Sequence, residues 1–196
     1  MPYISETIIT TVDAGGKVHI APLGIIAEKD GWVIAPFRPS VTLDNLAAVP
    51  FAVANYTDDA RIFAGCLTGR RDWPTVPVEG FPVPRLAAAL AHSVLRVESI
   101  ADNDGVRPRH FCLIVQEETH APFTGLNRAK AAVLELAILT SRLNMLPREK
   151  IEAEIAYLSI AIEKTAGPDE KEAWGWLMQK VAEHLAGEKD ARKVKG

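Results

Sequence analysis

The sequence predicts an α+β protein in which a small antiparallel β-barrel of six strands precedes a helical C-terminal segment. Short alternations of apolar and polar residues, each bounded by turn residues, recur from residue 6 to residue 116. This spacing is typical of strands joined by hairpins, which close into small barrels. From Pro122 onward the apolar residues recur at helical spacing instead. The change of period predicts a barrel domain at residues 1–121 and a helical segment at residues 122–196.

The first two strands lie in residues 6–24 and are joined by the turn residues Asp13–Gly16. Pro22 and Gly24 are expected to interrupt the second strand. Pro22 lacks the N–H that a ladder needs, and Gly24 lets another group approach the backbone closely. Such an interruption suits a strand edge that faces a ligand, although these residues alone favour an ordinary hairpin with a bulge.

The rest of the barrel region alternates short strands with turns and short helices. Ser40 or Thr42 is the candidate N-cap of the first of these helices. In chain order, the predictions are a strand at 32–35, a helix at 43–49, a strand at 51–56, a helical turn at 60–67, a long loop at 68–84, a helix at 85–91, and strands at 94–100 and 110–116.

Three helices are predicted in the C-terminal segment. The first covers residues 127–145, the second begins near Pro147, and Gly167-Pro168 separates the second from the third. In the first helix Arg128, Glu135 and Arg142 recur every seven residues, so we expect them on the side opposite its apolar stripe.

Composition excludes several classes of function. With a net charge of −3 and 24% charged residues, the chain has no general electrostatic attraction for nucleic acid. The basic stretch Lys189–Lys195 is interpreted as a solvated tail. No run of residues reaches the apolar length of a membrane span, and the start of the chain does not resemble a signal peptide. Cys66 and Cys112 lie far apart, without ligand spacing. We therefore expect a cytoplasmic protein, with no nucleic acid or membrane partner.

Familiar catalytic and metal-binding motifs are missing from the sequence. The five histidines are dispersed without paired metal spacing, so hydrogen-bonding roles are predicted for them and no metal site is expected. Asp58 and Asp59 are adjacent and are expected to point apart, as turn residues rather than as an acid–base pair. The catalytic residues therefore stay unassigned.

Polar and small residues at the ends of predicted elements suggest a ligand site. Arg38, Ser40 and Thr42 lie at the start of the first helix, where a cation, hydroxyl groups and backbone N–H groups suit a phosphate. Main-chain groups exposed at Pro22-Leu23-Gly24 suit the polar edge of a planar ring. The helix start and the Pro22-Leu23-Gly24 segment together predict a site for a compound with a phosphate and a planar polar ring.

The order of these motifs resembles a known family. The segments ETIITT–DAGGKVHIAPLG, SVTLDNL and FAVANYTDD resemble the opening of the FMN-binding split-barrel superfamily, which includes flavin reductases. The DUF447 family within it is still more similar, because its members also carry a C-terminal motif that reads here GLNRA, LELA and TSRL, beginning at Gly125. The similarity extends from Glu6 to about Trp174.

The resemblance implies a six-stranded split barrel that binds FMN at the interface of a homodimer. His19 stands where the family often has Asn, and it either contacts the cofactor or is an ordinary polar strand residue. Leu23 replaces the usual Met. The implied cofactor contacts are Thr10, Thr11, His19, Ala21, Pro22, Leu23, Gly24, Arg38, Ser40, Thr42, Asn45 and Asn55.

Three functions stay open on this fold. The first is an FMN-dependent oxidoreductase that acts on a small substrate, with the cofactor carrying the hydride chemistry. The second is a flavin-binding protein without catalytic activity. The third is a split barrel with a different cofactor, such as a deazaflavin or haem. Haem is the weakest of these, since no histidine is marked as an axial ligand.

Overall fold

The computed structural model describes the backbone of residues 2–193 and the side chains of residues 2–187. These residues form two compact units. The first comprises the chain up to Asp58 together with residues 71–123, and the second comprises residues 59–70 and the chain from Thr124 onward. The second unit thus includes a segment that precedes residue 122, and the domain boundary drawn from the sequence stays a prediction.

The first unit contains a closed antiparallel barrel, as the sequence predicts. Its six strands are hydrogen-bonded in the order β1-β2-β3-β8-β7-β4, and two further short strands, β5 and β6, form a separate sheet. In chain order the strands are β1 Ile4–Val12, β2 Val18–Glu28, β3 Gly31–Ile34, β4 Phe51–Tyr56, β5 Thr75–Val76, β6 Arg85–Leu86, β7 Ala91–Ala101 and β8 Arg109–Thr119.

Apolar side chains cover both faces of the barrel wall. One cluster includes Ile9, Ile34 and Leu95, all fully buried, together with Cys112. Burial raises the pKa of the Cys112 thiol to about 12, so this cysteine behaves as a small apolar residue. The opposite face is covered by a second cluster, in which residues of the long loop pack on residues of the strands: Val78 and Val83 on Val12, Val53 and Val94.

The second strand differs from the prediction, because β2 runs without interruption through Pro22 and Gly24. The carbonyl of Ile8, the β1 partner of Pro22, accepts a hydrogen bond from Asn55 Nδ2 on the β4 side. Since backbone groups alternate in direction along an antiparallel strand, the nitrogen of Pro22 faces away from β1. Proline therefore removes no hydrogen bond from the β1–β2 ladder, and the predicted interruption or bulge is wrong.

The helix predicted at residues 85–91 is also wrong. Arg85–Leu86 forms β6 and pairs with β5, and Ala91 is the first residue of β7. The Leu86 N–H donates to the Asn55 side chain at 2.7 Å, and the Leu90 N–H donates to the carbonyl of Tyr56. These long-range hydrogen bonds hold the segment extended, despite its Ala- and Leu-rich composition.

One helix belongs to the barrel unit. Helix α1, Val41–Ala48, begins after Ser40, whose hydroxyl makes no capping hydrogen bond. It packs on β1 and β2. The remaining helices form the second unit: α2 Ala60–Leu67, α3 Arg128–Thr140, a short 3₁₀ helix Leu143–Met145, α4 Arg148–Thr165 and α5 Pro168–Lys193.

In the helical unit, α3 ends at Thr140 rather than at the predicted residue 145, and a short 3₁₀ helix follows it. The second and third helices begin where the sequence predicts them. Asn127 caps α3 by accepting hydrogen bonds from the N–H groups of Ala129 and Lys130. Arg128, Glu135 and Arg142 are exposed, as predicted. The expected solvation of Lys189–Lys195 concerns side chains outside the described residues. No helix in the described part of the chain is both long and apolar enough to cross a membrane.

Candidate functional site

The edge of β2 is the first feature of the candidate site. Its residues 18–26 pair with β1, whereas β3 pairs only with Ile26, Ala27 and Glu28. Within the described chain, residues 21–25 therefore pair with a neighbouring strand on one side only, and their other side is an edge. Because the backbone of Pro22 faces away from β1, that of Gly24, two residues on, faces the same way. Of the predicted segment, Pro22 and Gly24 thus direct their main-chain groups toward the edge of a continuous strand, whereas the Leu23 carbonyl faces β1. Their contact with a planar ring stays a prediction.

Helix α1 packs on β1 and β2 and contributes to a buried polar pair. Asn45 Nδ2 donates to Thr11 Oγ1 at 3.0 Å, and both side chains are almost completely buried. His19 is the β2 partner of Thr11, so the two side chains project from the same face of the sheet. Thr42, on the same helix, is also buried. The structure thus brings Thr11, His19 and Asn45 together.

His19 has a cationic neighbour that the sequence analysis missed. Burial lowers the pKa of His19, and the guanidinium of Arg71 lowers it further. Both effects favour the neutral form of His19, which can donate one hydrogen bond and accept one. Arg71 is exposed and lies in the long loop. In the sequence, its one distinguishing feature is that it directly follows Arg70.

Thr10 and Asn55 form a separate network on the other face of β1. Asn55 Nδ2 lies within hydrogen-bond distance of the carbonyls of Ile8 and Val53 and of Thr10 Oγ1. Thr10 Oγ1 donates to the carbonyl of Pro84 at 2.6 Å. Both side chains are fully buried, and together they attach the long loop to the barrel wall.

Arg38 lies in the connection between β3 and α1 and already has an anionic partner. Its Nη2 is 2.7 Å from Asp102 Oδ2, and about half of its side chain is exposed. Its N–H donates to the carbonyl of Val106. The guanidinium keeps N–H groups that this single contact does not use, although Asp102 partly compensates its charge.

The twelve predicted residues therefore divide between the two faces of the sheet, the entry to α1 and α1 itself. Ala21 and Leu23 share a face with their β1 partners Ile9 and Thr7, and Thr7 Oγ1 donates to the carbonyl of Leu23. Pro22 and Gly24 alternate to the face that carries Thr10 and Asn55. Arg38 and Ser40 lie at the entry to α1. Direct cofactor contact by each of the twelve stays a prediction.

Two histidines that are remote in sequence meet in the fold. His92 Nδ1 and His120 Nε2 are 2.8 Å apart, and Glu118 lies beside them. Burial lowers the pKa of His92, and the neighbouring His120 lowers it further. The sequence spacing gave no sign of this group, because the pairing of β7 with β8 creates it.

Two family models match the chain. The N-terminal domain of the family described as "Protein of unknown function (DUF447)" matches residues 5–121, which is more than half of the chain. The chain belongs to the DUF447 family. A second DUF447 model matches residues 127–179, so the family resemblance includes the helices after the barrel.

Solved structures share the fold of this DUF447 protein. An FMN-bound DUF447 protein from Methanosarcina mazei is 21% identical, with a TM-score of 0.76, and the match covers 92% of this chain and 96% of that one. A 2-nitrobenzoate 2-nitroreductase from Pseudomonas fluorescens is 22% identical, with a TM-score of 0.52 and coverages of 61% and 66%.

A putative flavin reductase with a split-barrel domain from Shewanella frigidimarina is 11% identical, with a TM-score of 0.52 and coverages of 60% and 67%. At these identities the similarity establishes the split-barrel fold. A search of curated proteins found no match.

Proposed function

We propose that this DUF447 protein binds FMN and uses it as an oxidoreductase acting on a small substrate. The observation that carries the proposal is the FMN-bound relative, which matches 92% of this chain. Two less extensive matches, a nitroreductase and a putative flavin reductase, support redox chemistry on the same barrel.

The residues present fit a phosphorylated isoalloxazine. The main-chain groups of Gly24, at the unpaired side of β2, suit the polar edge of the ring. The Ser40 hydroxyl, the first N–H groups of α1 and the Arg38 guanidinium suit the phosphate. Thr11 and Asn45 position α1 through their buried hydrogen bond. Thr10 and Asn55 attach the long loop to the barrel wall through buried hydrogen bonds.

Bound FMN would supply the hydride chemistry, and the protein would bind and orient it. His19, whose neutral form is favoured, is a titratable side chain on the face of the sheet that carries Thr11. It is proposed as a hydrogen-bonding group toward the cofactor, without a catalytic role.

A homodimer would complete the site. Phe37 and Val41 are large apolar residues next to Arg38 and Ser40, and they are 62% and 52% exposed. Apolar side chains at the entrance of a phosphate site favour cover by a second copy of the chain. Light scattering on the flavin-loaded protein tests this, since a monomer with its full flavin content would contradict a site shared between subunits.

The experiment that tests the function is a titration of the purified chain with FMN, followed by flavin fluorescence and absorbance. We expect one FMN per chain, and bleaching of the bound flavin by NADH or NADPH in the absence of oxygen. Protein that refuses FMN would overturn the proposal as a whole. Bound flavin that no pyridine nucleotide or other donor reduces would favour the alternative of a non-catalytic flavin-binding protein.

Arg38→Ala is expected to weaken FMN binding by about 10- to 100-fold, because a hydrogen bond to a charged group contributes about 1.5–3 kcal/mol. Arg109→Ala is a matched control, since Arg109 is similarly exposed and forms a comparable 2.7 Å ion pair with Glu28. Dissociation constants from fluorescence titration compare the two variants. Equal affinity for FMN in both would remove Arg38 from the phosphate site.

A further inference from the structure

The group formed by His92, Glu118 and His120 lies on the wall of the barrel. His92 on β7 and Glu118 on β8 are direct cross-strand partners, and His120 follows immediately after β8 ends. One ligand atom from each residue can be chosen so that all three lie within 4.8 Å of one another. The proposed flavin function does not use these residues.

The backbone that carries the group is held in place independently of the three side chains. The N–H groups of His120 and Ala121 both donate to the carbonyl of Leu90, at 2.7 and 3.1 Å, and the Leu90 N–H donates to the carbonyl of Tyr56. The end of β8 is thereby tied to the start of β7. Such preorganisation reduces the ordering that ligand binding would otherwise require.

The two imidazole rings are parallel within 4°, with their centroids 5.0 Å apart. His92 is 1% exposed, and its Nε2 has no hydrogen-bond partner among the described residues, so Nδ1 is the atom that it presents to the group. His120 Nδ1 lies 3.7 Å from Glu118 Oε1, and the Glu118 side chain is 56% exposed. The group therefore runs from a buried imidazole to a carboxylate in contact with solvent.

We propose that His92, Glu118 and His120 bind a divalent transition-metal ion of the zinc class. Two imidazole nitrogens and one carboxylate oxygen form a ligand set that zinc takes in sites with an open position, whereas Mg²⁺ prefers oxygen ligands. Zinc–nitrogen bonds of about 2.0–2.1 Å place two tetrahedral ligands about 3.3 Å apart. The observed separation of 2.8 Å is about 0.5 Å shorter than that value, so zinc binding requires the two rings to move apart and to turn until both nitrogen lone pairs point at the ion. The fourth position then faces solvent beside Glu118.

Calorimetric titration of the untagged, full-length chain with Zn²⁺, after treatment with a chelator, tests the proposal. We expect one Zn²⁺ per chain, and binding at least about 10-fold weaker in His120→Gln and in Glu118→Gln, because each variant removes a ligand. Glu117→Gln is the control, since Glu117 is the adjacent carboxylate and accepts instead from Ser93; it should bind Zn²⁺ like the wild type.

Two results would overturn the metal site. The first is the absence of stoichiometric Zn²⁺ binding, which would leave the histidines as a hydrogen-bonded pair. The second is unchanged affinity in both ligand variants, which would place the ion elsewhere. Because Glu118 is exposed, Glu118→Gln should fold even if His120→Gln does not, and circular dichroism verifies this. The readout is independent of flavin content, so failure here leaves the proposed function intact.

Discussion

Asn55→Leu is expected to lower the free energy of unfolding by about 3–4 kcal/mol, because each buried polar group left without a partner costs about 1–3 kcal/mol. The Asn55 side chain is fully buried. It donates to the carbonyl of Ile8 at 2.9 Å and accepts from the N–H of Leu86 at 2.7 Å. Leucine fills a similar volume and replaces none of these hydrogen bonds.

The same variant should loosen the long loop before it unfolds the barrel. Leu86 and Pro84 attach that loop to the wall through Asn55 and Thr10. Amide hydrogen exchange at Leu86 should therefore accelerate in Asn55→Leu more than exchange in the barrel strands does.

Thr57→Val is the control for this variant, since it removes an exposed hydrogen bond to the carbonyl of Ala88 in the same region. It should lower the stability by no more than about 1 kcal/mol. Urea denaturation compares the two variants. A loss below about 1 kcal/mol in Asn55→Leu would show that the network contributes little to the barrel.

The barrel was predictable because its strands carry local signals. The turn at Asp13–Gly16 is an example: the Asp13 carboxylate accepts hydrogen bonds from the N–H groups of Gly15 and Lys17, and Gly16 has a φ of +82°. Asp and Gly at those positions are determined by the turn itself. The turn alone therefore predicts that the strands on either side of it pair as a hairpin, as they do.

The errors arose where distant residues decide the local structure. Proline at position 22 is compatible with β2 only because its nitrogen faces away from β1, and that direction is set by the pairing of β1 with β4. Residues 85–91 have helical composition, but Asn55 and Tyr56 hold their backbone extended. Local sequence patterns reveal neither the pairing of β1 with β4 nor the hydrogen bonds between β4 and residues 85–91.

The candidate site was predictable by residue type more than by arrangement. Thr10 and Thr11 are adjacent in sequence, yet the pleat of β1 sends them to opposite faces, one toward Asn55 and the other toward Asn45. Likewise, His92 and His120 are 28 positions apart in the sequence, yet the pairing of β7 with β8 brings them into direct contact. Strand register, rather than sequence spacing, produces both arrangements.

Gly31→Ala is the second large effect that we expect, and it tests how the barrel closes. A Cβ at Gly31 would lie 2.2 Å from the carbonyl oxygen of Cys112, which is a backbone atom and cannot rotate away. Strand β3 has four residues and joins β2 to β8, so a shift there opens the ring of strands. The free energy of unfolding should fall by about 3 kcal/mol or more, at or beyond the upper end of overpacking effects.

Gly175→Ala provides a control of opposite sign for this experiment. Gly175 is exposed within α5, and nothing lies within 4 Å of its added Cβ. Alanine there should be neutral or stabilise the helix by up to about 1 kcal/mol. Urea denaturation followed by circular dichroism measures both variants, and failure of Gly31→Ala to fold is the extreme of the same result. Wild-type stability in Gly31→Ala would contradict this prediction. It would mean that β3 and β8 do not approach each other closely at Gly31 and Cys112, and that the barrel is not closed there by this pairing.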